Sequence, residues 1–324
     1  MIQHLQRRQW LLATAAWAAG GAARAQGYPN RPIKLLVGFA PGGAVDIIAR
    51  AVGQQIAAGL GQPVVVENKP GAGTNIAMRA LIDSPADGYT LMLTANSIAA
   101  NPALYQPPPF DPERDVTPIS LVGRVPVVIA ANAQAGVESL ARLVALSKAT
   151  PRSLNYGSPG NGSTPHLAIE LFARAAGIEL THVPYKGGAP AINDVLAGHV
   201  QLVAVNALEV QPHFKSGRLR VLAVLSPSRS SIFPEVPTIA ESGFAGFEAS
   251  VWYGFIGPAA LPLPIVAQLH AQIQKALGTS EVRERLVNAG GELLPGPSER
   301  LTALIASERS RYGSLIRDAR IKPD

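Results

Sequence analysis

The sequence predicts an α/β protein of two lobes, each a mainly parallel sheet flanked by helices, joined by a two-strand hinge. Three observations carry this expectation. Short apolar runs alternate with helical periods of about 10 to 15 residues, the pattern of repeated strand–helix–strand units. Two extended runs, 119–131 and 249–257, outlast an ordinary strand and suit segments that cross from one lobe to the other. A glycine-rich loop between a strand and a helix occurs twice, once in each half of the chain, at 37–46 and 158–166.

Taken in order, strand candidate 33–37 runs into Gly38-Phe39-Ala40-Pro41-Gly42-Gly43, and a helical period begins at Ala44. Ile48, Val52 and Ile56 give that helix its core face, and Gly59 and Gly61 mark its end. The loop therefore points unpaired amides and the positive end of a helix at one place, which is an anion cradle. Asp46 is expected as a first-turn acid favoured by the same dipole. Strand candidate 63–66 leads to Gly71-Ala72-Gly73. This fragment of a dinucleotide loop lacks its third glycine and a ribose-binding acid, so a nucleotide is not expected. Strand candidate 90–94 ends in Thr94, Asn96 and Ser97, polar groups at the strand end where open parallel sheets place ligands. The Pro-rich, acidic stretch 106–118 reads as a surface connection. The run 119–131 then crosses between lobes near Pro126.

The second lobe opens with a helix from Val137 and strand candidate 153–156, and the second loop follows. Thr164 is placed to cap a helix and Pro165 to begin it. Strand candidates 180–183, 200–205 and 219–225 come next, with Tyr185 at a strand–turn–helix junction as a pocket wall and Asn206 as a polar group at a strand end. Further helices are expected from near Thr74, Gly188, Pro264, Ser280 and Pro297, the last three packing back on the first lobe. The division that results is 26–126 with 252–324 as lobe 1, and 127–251 as lobe 2.

Residues 1–25 differ in kind: Arg7 and Arg8, an apolar stretch from Trp10, then Ala23-Arg24-Ala25. That is the layout of a secretory signal cleaved after Ala25, with the arginine pair open to either general or twin-arginine export. The segment holds three arginines and no acid, so the remaining 299 residues carry 25 basic against 22 acidic side chains. The pI of 9.7 therefore owes much to the signal, and with no basic run interleaved with aromatics, nucleic acid is not an expected partner. There is no cysteine, so an exported chain must rest on its core, for which 47% hydrophobic residues suffice.

Catalysis and metal binding find little support. There is no Gly-x-Ser-x-Gly elbow, no cysteine nucleophile and no His-Glu-x-x-His. Ser163 and His166 lie three apart without an evident orienting acid, so His166 is expected as a packed helix residue. His182, His199 and His213 lack metal-ligand spacing, and Lys69 and Lys186 are expected in solvent. No catalytic residue, metal or cofactor is assigned. The competing class, an exported hydrolase of small acids, would have to work without these parts.

Several segments, in order, resemble one family. They are Tyr28-Pro29-Asn30-Arg31-Pro32-Ile33-Lys34, Pro41-Gly42-Gly43 with Asp46, Val66-Glu67-Asn68-Lys69-Pro70-Gly71-Ala72-Gly73, and Asp87-Gly88-Tyr89-Thr90. The loop 158–166, Val183-Pro184-Tyr185-Lys186-Gly187 and Pro237-Thr238-Ile239-Ala240-Glu241-Ser242-Gly243 complete the set. The chain resembles, from about Tyr28 to its C-terminus, the Bug family of periplasmic solute-binding receptors of tripartite tricarboxylate transporters. The resemblance implies a type II periplasmic binding-protein fold that closes on a small organic acid, as a monomer, and presents it to membrane permease subunits. A receptor delivering its closed form to a membrane sensor kinase is the alternative output. Carried over by motif, the carboxylate loops are Phe39, Ala40, Pro41, Gly42 and Gly43, and Ser158, Gly160, Gly162, Ser163 and Thr164. Thr94, Asn96, Tyr185 and Asn206 would line the remainder. Many members carry Asp at the place of Asn206, so a neutral corner is expected here, with plain or hydroxylated carboxylates preferred to amino acids.

Overall fold

A computed structural model describes residues 27–288, 290–319 and 321–323. The expected signal segment and its cleavage point lie outside the described residues.

Strand β1 (Ile33–Val37) is buried except at Lys34, so it needs partners on both edges and cover on both faces. Its edges pair in parallel with β2 (Val64–Asn68) and β3 (Thr90–Thr94). Helix α1 (Ala44–Leu60) covers one face through Ile48, Val52 and Ile56 and ends at Gly61, whose φ of 67° suits glycine. Helix α2 (Asn75–Ile82) brings Met78 and Leu81 to the opposite face, against Leu36.

The long strand β4 (Val116–Asn132) joins the two halves. As far as Pro126 it pairs antiparallel with β9 (Ser250–Pro258), which also pairs with β3. From Val127 it pairs instead with β7 (Leu202–Asn206) and β8 (Leu219–Val224). Strand β5 (Asn155–Ser158) lies parallel to β7 and to β6 (Thr181–Pro184). The short β10 (Glu292–Leu293) adds to β4, and the strand path reads β2-β1-β3-β9-β4-β7-β5-β6. Each lobe thus keeps parallel outer strands and turns antiparallel toward β4. Ala249, beside the point where β4 changes partners, accepts from the Val127 amide and donates to the Leu225 carbonyl.

The remaining helices are α3 (Ser97–Leu104), α4 (Leu140–Ala149), α5 (Thr164–Ala176), α6 (Gly188–Leu196), α7 (Ala207–Lys215), α8 (Leu263–Leu277), α9 (Ser280–Val287) and α10 (Glu299–Ala319). Two of them, α3 and α7, are additions to the sequence reading. Helix α3 is buried almost all round and holds Pro102, and α7 holds Pro212, so neither shows a clear amphipathic period. Helix α4 starts later than expected because Ser139 caps it, accepting from the Arg142 amide at 3.1 Å. Helices α8 and α9 pack on α1, and α10 packs on α3 and β4. One apolar cluster runs through both sheets along Val125, Val127, Val128 and Ile129 of β4. A small cluster joins α3 (Ala99, Ala100, Leu104), α5 (Leu167) and α10 (Tyr312, Ile316). Among the described residues no helix is long and apolar enough to cross a membrane.

Candidate functional site

Strands β1, β3, β5, β6 and β7 are each followed by a helix, and the N-termini of those five helices meet at one cavity between the lobes. Gly43, Ala44 and Val45 come from α1, Asn96 and Ser97 from α3, and Ser163, Thr164 and Pro165 from α5. Gly188 comes from α6, and Asn206 and Glu209 from α7, with Phe39, Ala95, Pro159 and Val251 filling the wall between them. Ligands of open α/β sheets bind outside the carboxyl ends of the strands, and helix N-termini carry partial positive charge and outward amides. The cavity measures about 30 Å³, room for roughly two waters and too small for an organic acid with the lobes so placed.

Both glycine loops reach this cavity, and the chain's own acceptors hold most of their amides. In the second loop Ser163 Oγ caps α5, accepting from the His166 amide at 3.4 Å and donating to the Gly160 carbonyl at 2.6 Å. Gly160 and Gly162 have φ of +124° and +76°, and a Cβ at either would lie 2.7 Å from Tyr185 O or Asn101 Oδ1, so side chains are excluded there. In the first loop the Gly42 amide donates to Asp46 Oδ2 at 3.0 Å, and the Ala40 amide crosses to the Lys186 carbonyl at 2.7 Å. Burial pushes the Asp46 carboxyl up, but bonds from Arg50, Gly42 and Asn68 outweigh it and hold the group below the usual carboxylate range. Asp46 is therefore a loop-fixing acid.

The Ala44 amide, at the head of α1, donates to Glu209 Oε1 at 3.1 Å, across the cleft. Glu209 is 8% exposed. Its Oε2 accepts from the backbone amide and the Nδ2 of Asn206, both at 3.1 Å, the carboxylate half of a capping box at the start of α7. Burial raises its pKa against those bonds. Asn206 does not stand alone in its corner: an acid one helical turn away stands in the same wall. The spacing Asn206-x-x-Glu209 before an apolar residue is a capping-box signal that the sequence reading did not use.

Of the residues named from sequence, Phe39, Gly43, Asn96, Ser163, Thr164 and Asn206 line the cavity. Gly160 and Tyr185 border, with Phe39, a neighbouring cleft over Gly71 to Thr74. Ala40, Pro41, Gly42, Thr94, Ser158 and Gly162 line neither. Their places have physical reasons. Thr94 is buried in β3 opposite Gly254, Pro41 and Gly42 face solvent, and the Tyr185 hydroxyl donates to Asp194 of α6. Asn96 lines the cavity but spends its amide on Ser250 O, Tyr312 and Glu308, while its Oδ1 accepts from the Trp252 amide at 3.0 Å.

Ser158 Oγ lies 2.7 Å from His182 Nε2, a serine–histidine contact that the sequence did not reveal. Ser158 is fully buried, and its Oγ also accepts from the Gly160 amide at 3.1 Å, so the hydroxyl braces the loop rather than meeting a substrate. His166 stacks on His182 at 4.2 Å and its Nδ1 accepts from the Gly162 amide. Burial, aided by His182, lowers its pKa to about 3, so it is a neutral packed ring, unsuited to general acid or base work near neutrality. Among the described residues no three His, Asp or Glu groups are placed to hold a metal ion.

The chain is similar to known proteins along almost its whole length. Residues 48–321 match the family described as "Tripartite tricarboxylate transporter family receptor". Protein BugT of Bordetella pertussis is 38% identical over 313 residues, covering 96% of this chain and 95% of its own. The solved periplasmic binding protein BugD superposes with a TM-score of 0.88 at 32% identity, covering 92% of this chain and all of the other. A protein from R. palustris solved with adipate superposes at 0.87 with 34% identity over the same shares. The fold is accordingly the two-lobed one of periplasmic binding proteins, and the chain belongs to the tripartite tricarboxylate transporter receptor family, as a Bug-type solute-binding protein.

Proposed function

We propose that the protein is an extracytoplasmic receptor that captures a small carboxylate-bearing solute between its lobes and delivers it to the membrane subunits of a tripartite transporter. The observation that carries the reading is the meeting of five helix N-termini at one interlobe cavity. Such a wall attracts an anion through amides and dipoles and, having no fixed cation, releases it readily. Membership of a receptor family and the adipate held by the R. palustris relative support a carboxylate as the charged group. Capture without turnover fits a site whose hydroxyls and histidines are committed to loop structure. The lobes, 26–126 with 252–324 and 127–251, move about 126–127 and the strand entry at 249–250, where β4 changes partners. The protein works as a monomer in the periplasm, after removal of residues 1–25.

Thermal-shift screening of mono-, di- and tricarboxylates, followed by calorimetry, tests the reading. At least one acid is expected to bind with a Kd of about 1 μM or tighter, near 8 kcal/mol. Absence of binding to every acid, or turnover of one, would refute it.

A further inference from the structure

Glu209 makes the cavity asymmetric. Its carboxyl is the titratable side chain in the wall, all three of its bonds come from neutral donors, burial raises its pKa, and no cation pairs with it among the described residues. Its position is that of a bound anion: Oε1 reaches the head of α1 in one lobe while Oε2 stays on α7 in the other. Gly188 leaves room for it, since a Cβ there would fall 2.1 Å from Oε1, and Gly43 comes within 3.1 Å. The carboxylate also fixes the Asn206 amide. Asn206 turns its Nδ2 to Glu209, and its Oδ1, directed toward the start of α7, is buried without a hydrogen bond of full geometry. The Glu209 carboxyl and an amide oxygen therefore stand together in one part of the wall. The Tyr253 hydroxyl, whose pKa is raised by burial and by Glu209, is the titratable group that senses the acid from β9.

A buried acceptor short of a donor and a buried acid without a counter-charge are both costly, and a donor or cation brought in by a ligand relieves both, drawing Glu209 into its ionised form. A second ligand carboxylate would meet like charge at short range or require Glu209 to hold its proton, in a site closed to water. We infer that the solute is a monocarboxylate bearing a hydrogen-bond donor, best an ammonium, which lies against Glu209 and Asn206 Oδ1 while its carboxylate lies toward the N-termini of α3 and α5. Glu209 takes the place that the second carboxylate of a diacid would need. This rests on the receptor reading above and names the solute class for the same cavity.

Calorimetry on the mature protein with two matched pairs tests it: 4-aminobutanoate against succinate, and 6-aminohexanoate against adipate. In the wild type the ammonium member of at least one pair is expected to bind about tenfold or more tightly than its diacid, the discrimination that a buried like-charge contact sets. In Glu209→Gln, which removes the charge but keeps the reach, the ratio is expected to fall to about one or to reverse. Equal or tighter diacid binding by the wild type overturns the inference and leaves the receptor reading standing, as does an unchanged ratio in the folded variant. If none of these four binds while another diacid or triacid does, the inference likewise falls alone; if no acid of any kind binds, both fall. Should Glu209→Gln not fold, the wild-type ratio alone decides.

Discussion

His166 gives the protein a specific sensitivity to acid. The ring is buried against His182 and keeps a neutral Nδ1 as acceptor for the Gly162 amide, with a pKa lowered from 6.5 to about 3. The unfolded chain takes up a proton near pH 6.5, whereas the folded chain refuses it until about pH 3. Its contribution to stability is therefore complete above pH 6.5, is lost as pH falls below that value, and is gone near pH 3. Each unit is worth about 1.4 kcal/mol, so the full loss is about 5 kcal/mol and the part between pH 6.5 and 4.5 is about 3 kcal/mol. The perturbation is His166→Asn, whose carbonyl oxygen reaches about where Nδ1 lies and does not titrate. Urea unfolding of both proteins from pH 7.5 to 4.5 is the assay. The variant is less stable at pH 7.5 through lost packing, and the gap narrows by about 3 kcal/mol by pH 4.5, while titrating carboxylates cancel between the two. Parallel curves would refute the assignment of a neutral buried ring.

Three further outcomes are expected. Gly188→Ala drives a methyl into the Glu209 carboxylate and lowers stability by about 1 to 3 kcal/mol; in a double-mutant cycle with Glu209→Ala most of that loss disappears. Asp46→Ala leaves the Gly42 amide without its acceptor and frees Arg50 and Asn68, costing about 1 to 3 kcal/mol in chemical denaturation. Tyr253→Phe removes a fully buried hydroxyl that has no hydrogen-bond partner, so unfolding is neutral or stabilised by up to about 1 kcal/mol; a clear loss would show that the hydroxyl is bonded.

The architecture was legible because its signals are local. Gly42-Gly43 before an amphipathic period marks a strand-loop-helix junction wherever it occurs, and a run as long as 119–131 has to change surroundings along its length. The site was legible only in outline. Which amides are already taken depends on residues far apart in sequence: Ala44 meets an acceptor 165 positions away, and Ala40 meets the carbonyl of Lys186. Tyr185 reads as a pocket wall until α6 brings Asp194 to its hydroxyl. Helix α3 is buried on nearly all sides, and both it and α7 hold an internal proline, so the period by which a helix is recognised is erased. With α7 not marked by a period, nothing in the sequence joins Glu209 to the site, and Asn206 alone carries the specificity argument.

A wall built from the ends of five helices has a consequence for how such a receptor diversifies. Main-chain amides and helix dipoles stay the same whatever the side chains are, so the attraction for an anion survives most substitutions. Discrimination between solutes is left to the few side chains that project among those ends, and in this chain the two polar ones bonded to each other occupy positions 206 and 209. Randomising two codons therefore explores much of the recognition chemistry open to this scaffold, while the frame that folds and closes is left alone.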